Sequence, residues 1–136
     1  MKIGILGFGR EGKSLLKYLR SRGSTRITTR IHADKVWVLD KNENIKIPKG
    51  IKAQLGKNFL KNLKRFDVIF RSPGMPWNLP ELRAARKNGA CFSSATKLFF
   101  ETAGKIGATI IGVTSTKGKG TTATLIYKIL RTAGVD

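Results

Sequence analysis

The chain has 136 residues, 40% of them hydrophobic, which is enough for about one ordinary globular domain. Its 27 lysines and arginines against 8 acidic residues give a net charge of +19. The single cysteine, Cys91, excludes an internal disulfide and indicates a reducing compartment. The glycine-interrupted N-terminus fits neither a signal peptide nor a membrane span, and no stretch approaches about 18 consecutive apolar residues. We therefore expect a cytoplasmic protein without a membrane segment.

The excess positive charge would attract any polyanion, nucleic acid included. However, the basic residues are spread from Lys2 to Arg131 between apolar positions at helical spacing. There is no arginine-rich tail, no zinc-ligand spacing and no aromatic-rich RNA-binding signature. We expect a solvated basic surface that suits small anionic ligands, and we do not expect nucleic acid as the physiological partner.

The first half of the chain alternates short apolar runs with segments of helical periodicity. The pattern predicts strands over 2–6, 36–40, 51–55 and 67–72, and helices over 11–22, with Gly23 as a C-cap, and over 59–66. Between the first helix and the second strand lies a polar, basic segment, 24–35, which we interpret as a surface loop or insertion. Its His32 has no second His or Cys nearby, so a plain surface histidine is favoured over a metal ligand.

The second half continues the same alternation. It predicts a helix over 79–89 with Pro80 in its first turn, an extended segment over 90–94, a helix over 96–104 ending at Gly104, a strand over 108–114 and a helix over 120–134. Strands that alternate with helices indicate a parallel sheet covered on both faces. The sequence therefore predicts an α/β fold.

The first glycine-rich turn, GFGREG, matches G-x-G-x-x-G between a predicted strand and a predicted helix. Gly7 permits the tight turn, Gly9 lets a ligand approach the backbone, and Gly12 lets the helix lie close to the strand. The helix N-terminus favours an anion. Asp40 ends the next strand, later than the usual ribose-binding acid, and the polar insertion accounts for the excess. The spacing does not distinguish a dinucleotide from another nucleotide, and a tight turn without a ligand is the alternative.

The second glycine-rich turn, GVTSTKGKGTT over 112–122, lies between an apolar run and a helical pattern. It departs from the general P-loop spelling, because Gly120 follows Lys119 where Ser or Thr is usual. Backbone N–H groups of such a turn can converge on phosphate oxygens. Lys119 is the candidate for the β/γ-phosphate charge, and the hydroxyl of Thr121 or Thr122 is the candidate Mg²⁺ ligand. A solvated basic loop is the alternative.

Four stretches in order resemble the Mur ligase family: GILGFGREGKSLLKYLRSRG, DVIFRSPGMPWNLPELRAARKNG, SSATKLFF and IIGVTSTKGKGTTATLIYKIL. The family's phosphate loop is written around Thr-Gly-Thr-x-Gly-Lys-Ser/Thr-Thr. Ser115 departs from it at a usual glycine, and Gly120 departs at the usual hydroxyl residue. Related folylpolyglutamate synthases also have glycine after the lysine, which leaves Thr121 able to serve as the Mg²⁺ ligand. The positions that match the family are Thr114, Thr116, Gly118, Lys119 and Thr121.

The resemblance implies a Rossmann-like parallel-sheet domain over 1–93 that binds the UDP moiety of a muramoyl substrate rather than NAD. It implies that 94–136 begins the central P-loop ATPase domain, and that the chain is the N-terminal portion of a longer ligase, inactive by itself. The implied UDP-substrate residues are Gly7, Gly9, Arg10, Glu11, Gly12, Asp40, Lys41, Asn42, Ser72, Pro73 and Gly74. The implied ATP-binding residues are Thr116, Lys117, Gly118, Lys119, Gly120, Thr121 and Thr122, with Lys119 catalytic.

The RSPG segment at 71–74 favours the D-glutamate-adding branch of the family. The implied reaction is ATP- and Mg²⁺-dependent amide formation in peptidoglycan precursor synthesis, through an acyl phosphate. Its implied substrates are UDP-N-acetylmuramoyl-L-alanine and D-glutamate. The rivals are another Mur ligase or a folylpolyglutamate-synthase-like ligase, an NAD-binding oxidoreductase, which leaves the second turn unexplained, and a basic nucleic-acid-binding module, which leaves both turns unexplained.

Overall fold

The computed structural model describes residues 1–21 and 35–135 and divides the chain into two compact units, Met1–Thr102 and Ala103–Asp136. The C-cap predicted at Gly23, the residue His32 and nearly all of the polar segment 24–35 lie outside the described residues. The predicted domain boundary between residues 93 and 94 stays a prediction. Each unit is described below by itself.

The first unit is built on a five-stranded sheet in the order β3-β2-β1-β4-β5, with every neighbouring pair parallel. This is the strand order of doubly wound nucleotide-binding folds. The predicted α/β fold with a parallel Rossmann-like sheet is therefore confirmed. The strands are β1, Ile3–Leu6; β2, Val36–Asp40; β3, Lys52–Leu55; β4, Val68–Arg71; and β5, Cys91–Ser93.

The helices follow the predicted pattern with small shifts at their ends. They are α1, Arg10–Ser21; α2, Pro80–Lys87; α3, Ala95–Lys105; and α4, Lys119–Thr132. The prediction that α3 ends at Gly104 was wrong, because the helix continues to Lys105. The left-handed residue that follows it is Gly107, where φ is 69° and the amide of Ala108 bonds back to the carbonyl of Ala103.

Alternate residues of the strands supply two apolar cores on opposite faces of the sheet, as expected for strands covered on both sides. On one face, Ile3 and Ile5 of β1 join Leu15, Leu16 and Leu19 of α1. On the other face, Leu6 joins residues of α2 and of the segment before β4; this core contains Leu39, Leu60, Leu63, Phe66, Ile69, Leu82 and Ala85.

The helix predicted over 59–66 was wrong: this segment consists of turns and one short 3₁₀ helix, Leu63–Arg65, and a second 3₁₀ helix, Gly56–Asn58, precedes it. The side-chain nitrogen Nε2 of Gln54 donates to the backbone carbonyl oxygens of Asn58, Phe59 and Lys61, at 2.7, 3.1 and 2.8 Å. A side chain that binds these carbonyls offers the backbone an alternative to helical bonds. The apolar spacing correctly indicated that the segment is buried, but it did not predict the backbone conformation.

The strand predicted over 108–114 was also wrong, because these residues form no regular structure. Most of its apolar side chains are exposed, Ile111 by 55%, and Val113 is half-buried. A parallel strand needs a neighbouring strand for its backbone bonds, and no described residue of Ala103–Val135 belongs to a strand. The helix α4 has no buried residue, in contrast to α1.

Candidate functional site

Three of the predicted substrate-binding segments follow the carboxyl ends of neighbouring strands. The glycine turn follows β1, Asp40 ends β2 and the segment Ser72–Gly74 follows β4. Because β1 lies between β2 and β4 and all three are parallel, these segments meet at one edge of the sheet. The β1/β4 neighbourhood is where the strand order reverses, and ligands of open α/β sheets bind at such a point.

The glycine turn is closely fitted to its surroundings. Gly7 has a φ of 91°, and a Cβ there would lie 2.2 Å from the Oγ of Ser72. A Cβ on Gly12 would lie 2.3 Å from the carbonyl oxygen of Gly7, so only glycine lets α1 approach β1 this closely. A Cβ on Gly9 would meet nothing within 4 Å, which leaves the backbone open on its outer side. The geometry agrees with the turn role of Gly7 and the packing role of Gly12, while a ligand contact at Gly9 stays a prediction.

The carboxylate of Asp40 binds two backbone N–H groups. Its Oδ2 accepts from the amide of Phe8 at 2.6 Å, and its Oδ1 accepts from the amide of Asn42 at 2.9 Å. The amide of Gly7 donates to the carbonyl oxygen of Leu39 at 2.8 Å, beside these contacts. Asp40 therefore joins the glycine turn to the segment after β2. Each oxygen keeps a further lone pair, so the carboxylate can still accept a hydrogen bond from a ligand. The predicted contact of Asp40 with a uridine group stays a prediction.

Lys41, Asn42 and Arg10 are exposed around the same edge, and Glu11 is half-buried in the first turn of α1. A helix begins with backbone N–H groups that have no acceptor within the helix, so this first turn can receive an anion. Arg10 would add positive charge there, whereas Glu11 would not. Pro73 and Gly74 are exposed on the opposite side of the turn, after β4.

Sequence analysis missed Arg71, the last residue of β4. Its Nη1 donates to the carbonyl oxygens of Ser72 at 3.0 Å and Pro73 at 3.4 Å, and it also binds the carbonyl oxygen of Met75. Its guanidinium carbon lies 4.3 Å from the centre of the Trp77 ring. The only available sequence signal was an arginine directly before Ser-Pro-Gly and six residues before a tryptophan, which is too unspecific to indicate these contacts.

The second glycine-rich turn leads into α4. Gly118 is the N-cap, with a left-handed φ of 78°, and no side chain caps the helix. Lys119 is the first helical residue and Thr121 lies in the same turn, while 114–122 are all exposed. A Cβ on Gly118 or Gly120 would meet nothing within 4 Å. The uncapped N–H groups and the adjacent lysine are chemically suited to phosphate oxygens.

The donor set around α4 fits phosphates better than it fits a metal ion. Thr121 offers one exposed hydroxyl, and the described residues 103–135 contain no Asp or Glu. Mg²⁺ in proteins is usually bound through one or two carboxylates together with substrate phosphates. No group of three or more His, Cys, Asp or Glu side chains that could hold a metal ion occurs within 1–21 and 35–135. Within this chain, Thr121 would thus contribute to a Mg²⁺ site only alongside bound phosphates.

The fold and this sheet edge define a Rossmann-like α/β domain. Residues 1–93 match the sequence model of the N-terminal domain of MurD-like Mur ligases, and the chain belongs to the Mur ligase family. This confirms the family indicated by the four sequence stretches. The matched residues include the glycine turn, Asp40 and the segment Ser72–Gly74.

The chain is similar to several curated ligases over nearly its whole length. It is 40% identical over 133 residues to the UDP-N-acetylmuramoylalanine–D-glutamate ligase of Acetivibrio thermocellus, which covers 98% of this chain. It is 39% identical over 132 residues to the ligase of the same name from Symbiobacterium thermophilum, covering 96%, and 35% identical over 133 residues to that of Clostridium tetani, covering 98%. The chain spans 28% of the length of each of these relatives.

Within the described part of the chain, none of the helices combines the length and the apolar character needed to cross a bilayer.

Proposed function

We propose that this chain is the substrate-binding N-terminal portion of an ATP-dependent ligase that adds D-glutamate to UDP-N-acetylmuramoyl-L-alanine in peptidoglycan precursor synthesis. The observation that carries the proposal is the similarity to ligases of that name across 98% of the chain, both glycine-rich turns included. The parallel sheet, with its three predicted binding segments on one edge, supports it.

In this proposal the first unit holds the UDP group. The pyrophosphate lies over Gly9 and the first turn of α1, where the backbone is open, N–H groups are available and Arg10 adds positive charge. Lys41 and Asn42 contact the uridine, and Ser72–Gly74 follow the sugar. A cavity of only about 10 Å³ lies between Gly7 and Ser72, too small for a ligand group, so the substrate would lie on the outer side of the edge.

In the second unit, the residues Thr116–Thr122 would hold the phosphates of ATP. When bound with Mg²⁺, ATP supplies the phosphoryl group that activates the substrate carboxylate. The backbone of Gly118–Thr122 presents N–H groups at the start of α4, and Lys119 offsets negative charge on the phosphates. The chain thus contributes positioning and charge neutralisation.

Titration calorimetry of the 136-residue chain with UDP-N-acetylmuramoyl-L-alanine and with NAD tests the assignment. We expect binding of the UDP-sugar and weaker or no binding of NAD. Tighter binding of NAD would overturn the proposal in favour of an oxidoreductase.

A variant sharpens this test. Gly9→Val adds a side chain that the fold accommodates, because a Cβ at this position has open space, but that side chain lies where the pyrophosphate would approach. We expect UDP-sugar binding to weaken by about tenfold or more in a chain that remains folded, with stability lowered by about 1 kcal/mol because Gly9 precedes α1 and Val is a poorer residue there than Gly. Gly104→Ala, also in open space but on α3, is the matched control and should bind as the parent does.

The proposal also holds that the 136-residue chain does not catalyse ligation by itself. We expect no ADP release dependent on D-glutamate from the purified chain, and robust release would refute this part. A cytoplasmic location belongs to the same proposal, and the exposed free thiol of Cys91 suits a reducing compartment.

A further inference from the structure

Arg71 occupies a special position at the proposed substrate edge. It ends β4 opposite Leu6, the last residue of β1, so its side chain leaves the sheet where the glycine turn begins. The amide of Ser72 donates to the carbonyl oxygen of Leu6 at 2.9 Å, which continues the pairing for one more residue. The residues after Ser72 then have no strand to pair with.

The guanidinium group of Arg71 makes hydrogen bonds to the backbone of this unpaired segment. One nitrogen, Nη1, is shared among the carbonyl oxygens of Ser72, Pro73 and Met75. The amide of Met75 also donates to the carbonyl of Ser72 at 3.1 Å and closes a turn around Arg71. Hydrogen bonds from a charged donor are stronger than neutral ones, so these contacts select one loop conformation.

The guanidinium carbon of the same group lies over the Trp77 ring, 4.3 Å from the ring centre. Trp77 in turn contacts Phe92 edge-to-face, at 5.5 Å between ring centres. The guanidinium carbon of Arg86 lies 5.8 Å from the centre of the Trp77 ring, but Arg86 donates no hydrogen bond to the loop. Only a planar cation with several donors can stack on a ring and bind carbonyls in its plane at the same time.

The loop that Arg71 holds is fitted to the glycine turn. The Oγ of Ser72 occupies the place where a side chain on Gly7 would project, 2.2 Å from such a Cβ. A change in the path of Ser72–Gly74 would therefore alter the part of the edge along which the UDP-linked sugar is proposed to lie. We propose that Arg71 is a positioning residue that fixes Ser72–Gly74 against the glycine turn for binding of the UDP-linked sugar. The inference rests on the proposed function, and Arg71 acts through the loop without touching the substrate.

The first test needs no ligand. Hydrogen exchange of the 136-residue chain should be faster at the Met75 amide in Arg71→Met, because the turn loses its central cation, while exchange in β1 and β2 stays unchanged. Arg86→Met removes the same charge beside the same tryptophan and should leave exchange at Met75 unchanged. Equal exchange at Met75 in Arg71→Met and the parent chain would overturn the inference.

The second test is calorimetry with two ligands, UDP-N-acetylmuramoyl-L-alanine and UDP alone. We expect Arg71→Met to weaken binding of the sugar-containing ligand by about tenfold or more and binding of UDP by less than about threefold, since UDP lies at the glycine turn. Arg71→Lys should give an intermediate loss, because an ammonium cannot both stack and bind three carbonyls. Arg86→Met should bind both ligands as the parent does.

The outcomes distinguish the positioning role of Arg71 from the proposed function of the chain. Parent-like binding of the UDP-sugar by Arg71→Met overturns the positioning role and leaves the proposed function standing. A parent chain that binds neither UDP nor the UDP-sugar refutes the proposed function, and the positioning role for that substrate falls with it. An equal loss for both ligands in Arg71→Met would indicate general damage to the edge and would also overturn the inference.

Discussion

The two turns are both rich in glycine and both lead into a helix, but their surroundings are very different. In the first, side chains added at Gly7 and Gly12 would collide with Ser72 and with the backbone, whereas additions at Gly118 and Gly120 in the second would meet nothing. The first turn is built into a sheet whose neighbouring strands supply its contacts. The second has only its own helix. A glycine pattern therefore indicates a turn, but its energetic importance depends on what packs around it.

The helices that follow the turns differ in the same way. In α1, Leu15, Leu16 and Leu19 are buried against the sheet. In α4, Leu125 and Ile129 occur at comparable helical spacing but are 54% and 65% exposed. An exposed apolar surface of this kind is prone to self-association. Four predictions follow from these contrasts, beginning with the largest expected effect.

The largest effect on stability should come from the apolar face of α1. Leu16→Ala removes a side chain that is 3% exposed and should lower the free energy of unfolding by about 3 kcal/mol. The matched change Ile129→Ala in α4 should alter it by less than about 0.5 kcal/mol, because that side chain is already in solvent. Urea unfolding of the 136-residue chain, monitored by far-ultraviolet circular dichroism because both tryptophans lie in the first unit, measures both; equal losses would contradict the contrast.

The second prediction concerns the effect of Lys119 on catalysis in a full-length ligase with this N-terminal sequence. Lys119→Ala should lower turnover on the order of 10²-fold, since one electrostatic stabiliser of the phosphates is lost. Lys117→Ala should be milder, because Lys117 precedes the N-cap Gly118 while Lys119 begins the helix. Binding of the UDP-substrate should change little in either variant. Near-normal turnover in Lys119→Ala with abolished turnover in Lys117→Ala would show that the loop registers differently on the phosphates.

Alanine substitutions at one glycine of each turn compare how strongly the two turns are packed. Gly12→Ala places a methyl group 2.3 Å from the carbonyl oxygen of Gly7, so the helix must move and the unfolding free energy should fall by about 2 kcal/mol. Gly120→Ala lies in the first turn of α4 with open space around it and should be neutral or stabilise the helix by up to about 1 kcal/mol. Thermal unfolding followed by circular dichroism tests the pair. A destabilising Gly120→Ala would mean that the second turn has packing contacts of its own.

The smallest effect concerns Asp40. Asp40→Asn replaces one acceptor oxygen by an N–H₂ group that faces the amide of Phe8 or of Asn42, so stability should fall by about 1–2 kcal/mol. Asn42→Ala removes only an exposed bond to the amide of Asn44 and should cost less than about 0.5 kcal/mol. Urea midpoints measure both, and an unaffected Asp40→Asn would show that the carboxylate does not stabilise the turn.

Much of the first unit was predictable because its signals are local. Four strands of the sheet were predicted as strands and the fifth as an extended segment, together with the turn glycines and Asp40 at the end of β2. Buried parallel strands are short apolar runs bounded by turn residues, and these features can be recognised without any partner. The predicted substrate residues stay predictions as binding residues, although the structure brings the three segments to one edge.

The errors arose where contacts that the hydrophobic pattern does not encode decide the conformation. Over 59–66, the apolar spacing was correct for burial, but Gln54 binds the carbonyl groups that a helix would use. Over 108–114, the sequence contains an apolar run typical of a buried strand, but no described strand of its unit pairs with it. Arg71 was missed because its three carbonyl partners and Trp77 come together only through the curl of the loop.

The sequence by itself determined the class of fold, the family, and the two places where anions are expected, because periodicity and glycine spacing act within a few residues. Tertiary structure alone decided the order of the strands and the pairing of Asp40 with the first turn, because these join residues far apart in the chain. The contacts of Arg71 are close in sequence, but they depend on the path that the loop after β4 takes. It also decided that one glycine turn is tightly enclosed while the other is open. The physical reason is that a backbone pattern sets which conformations are allowed, while the neighbouring atoms set which of them is stabilised.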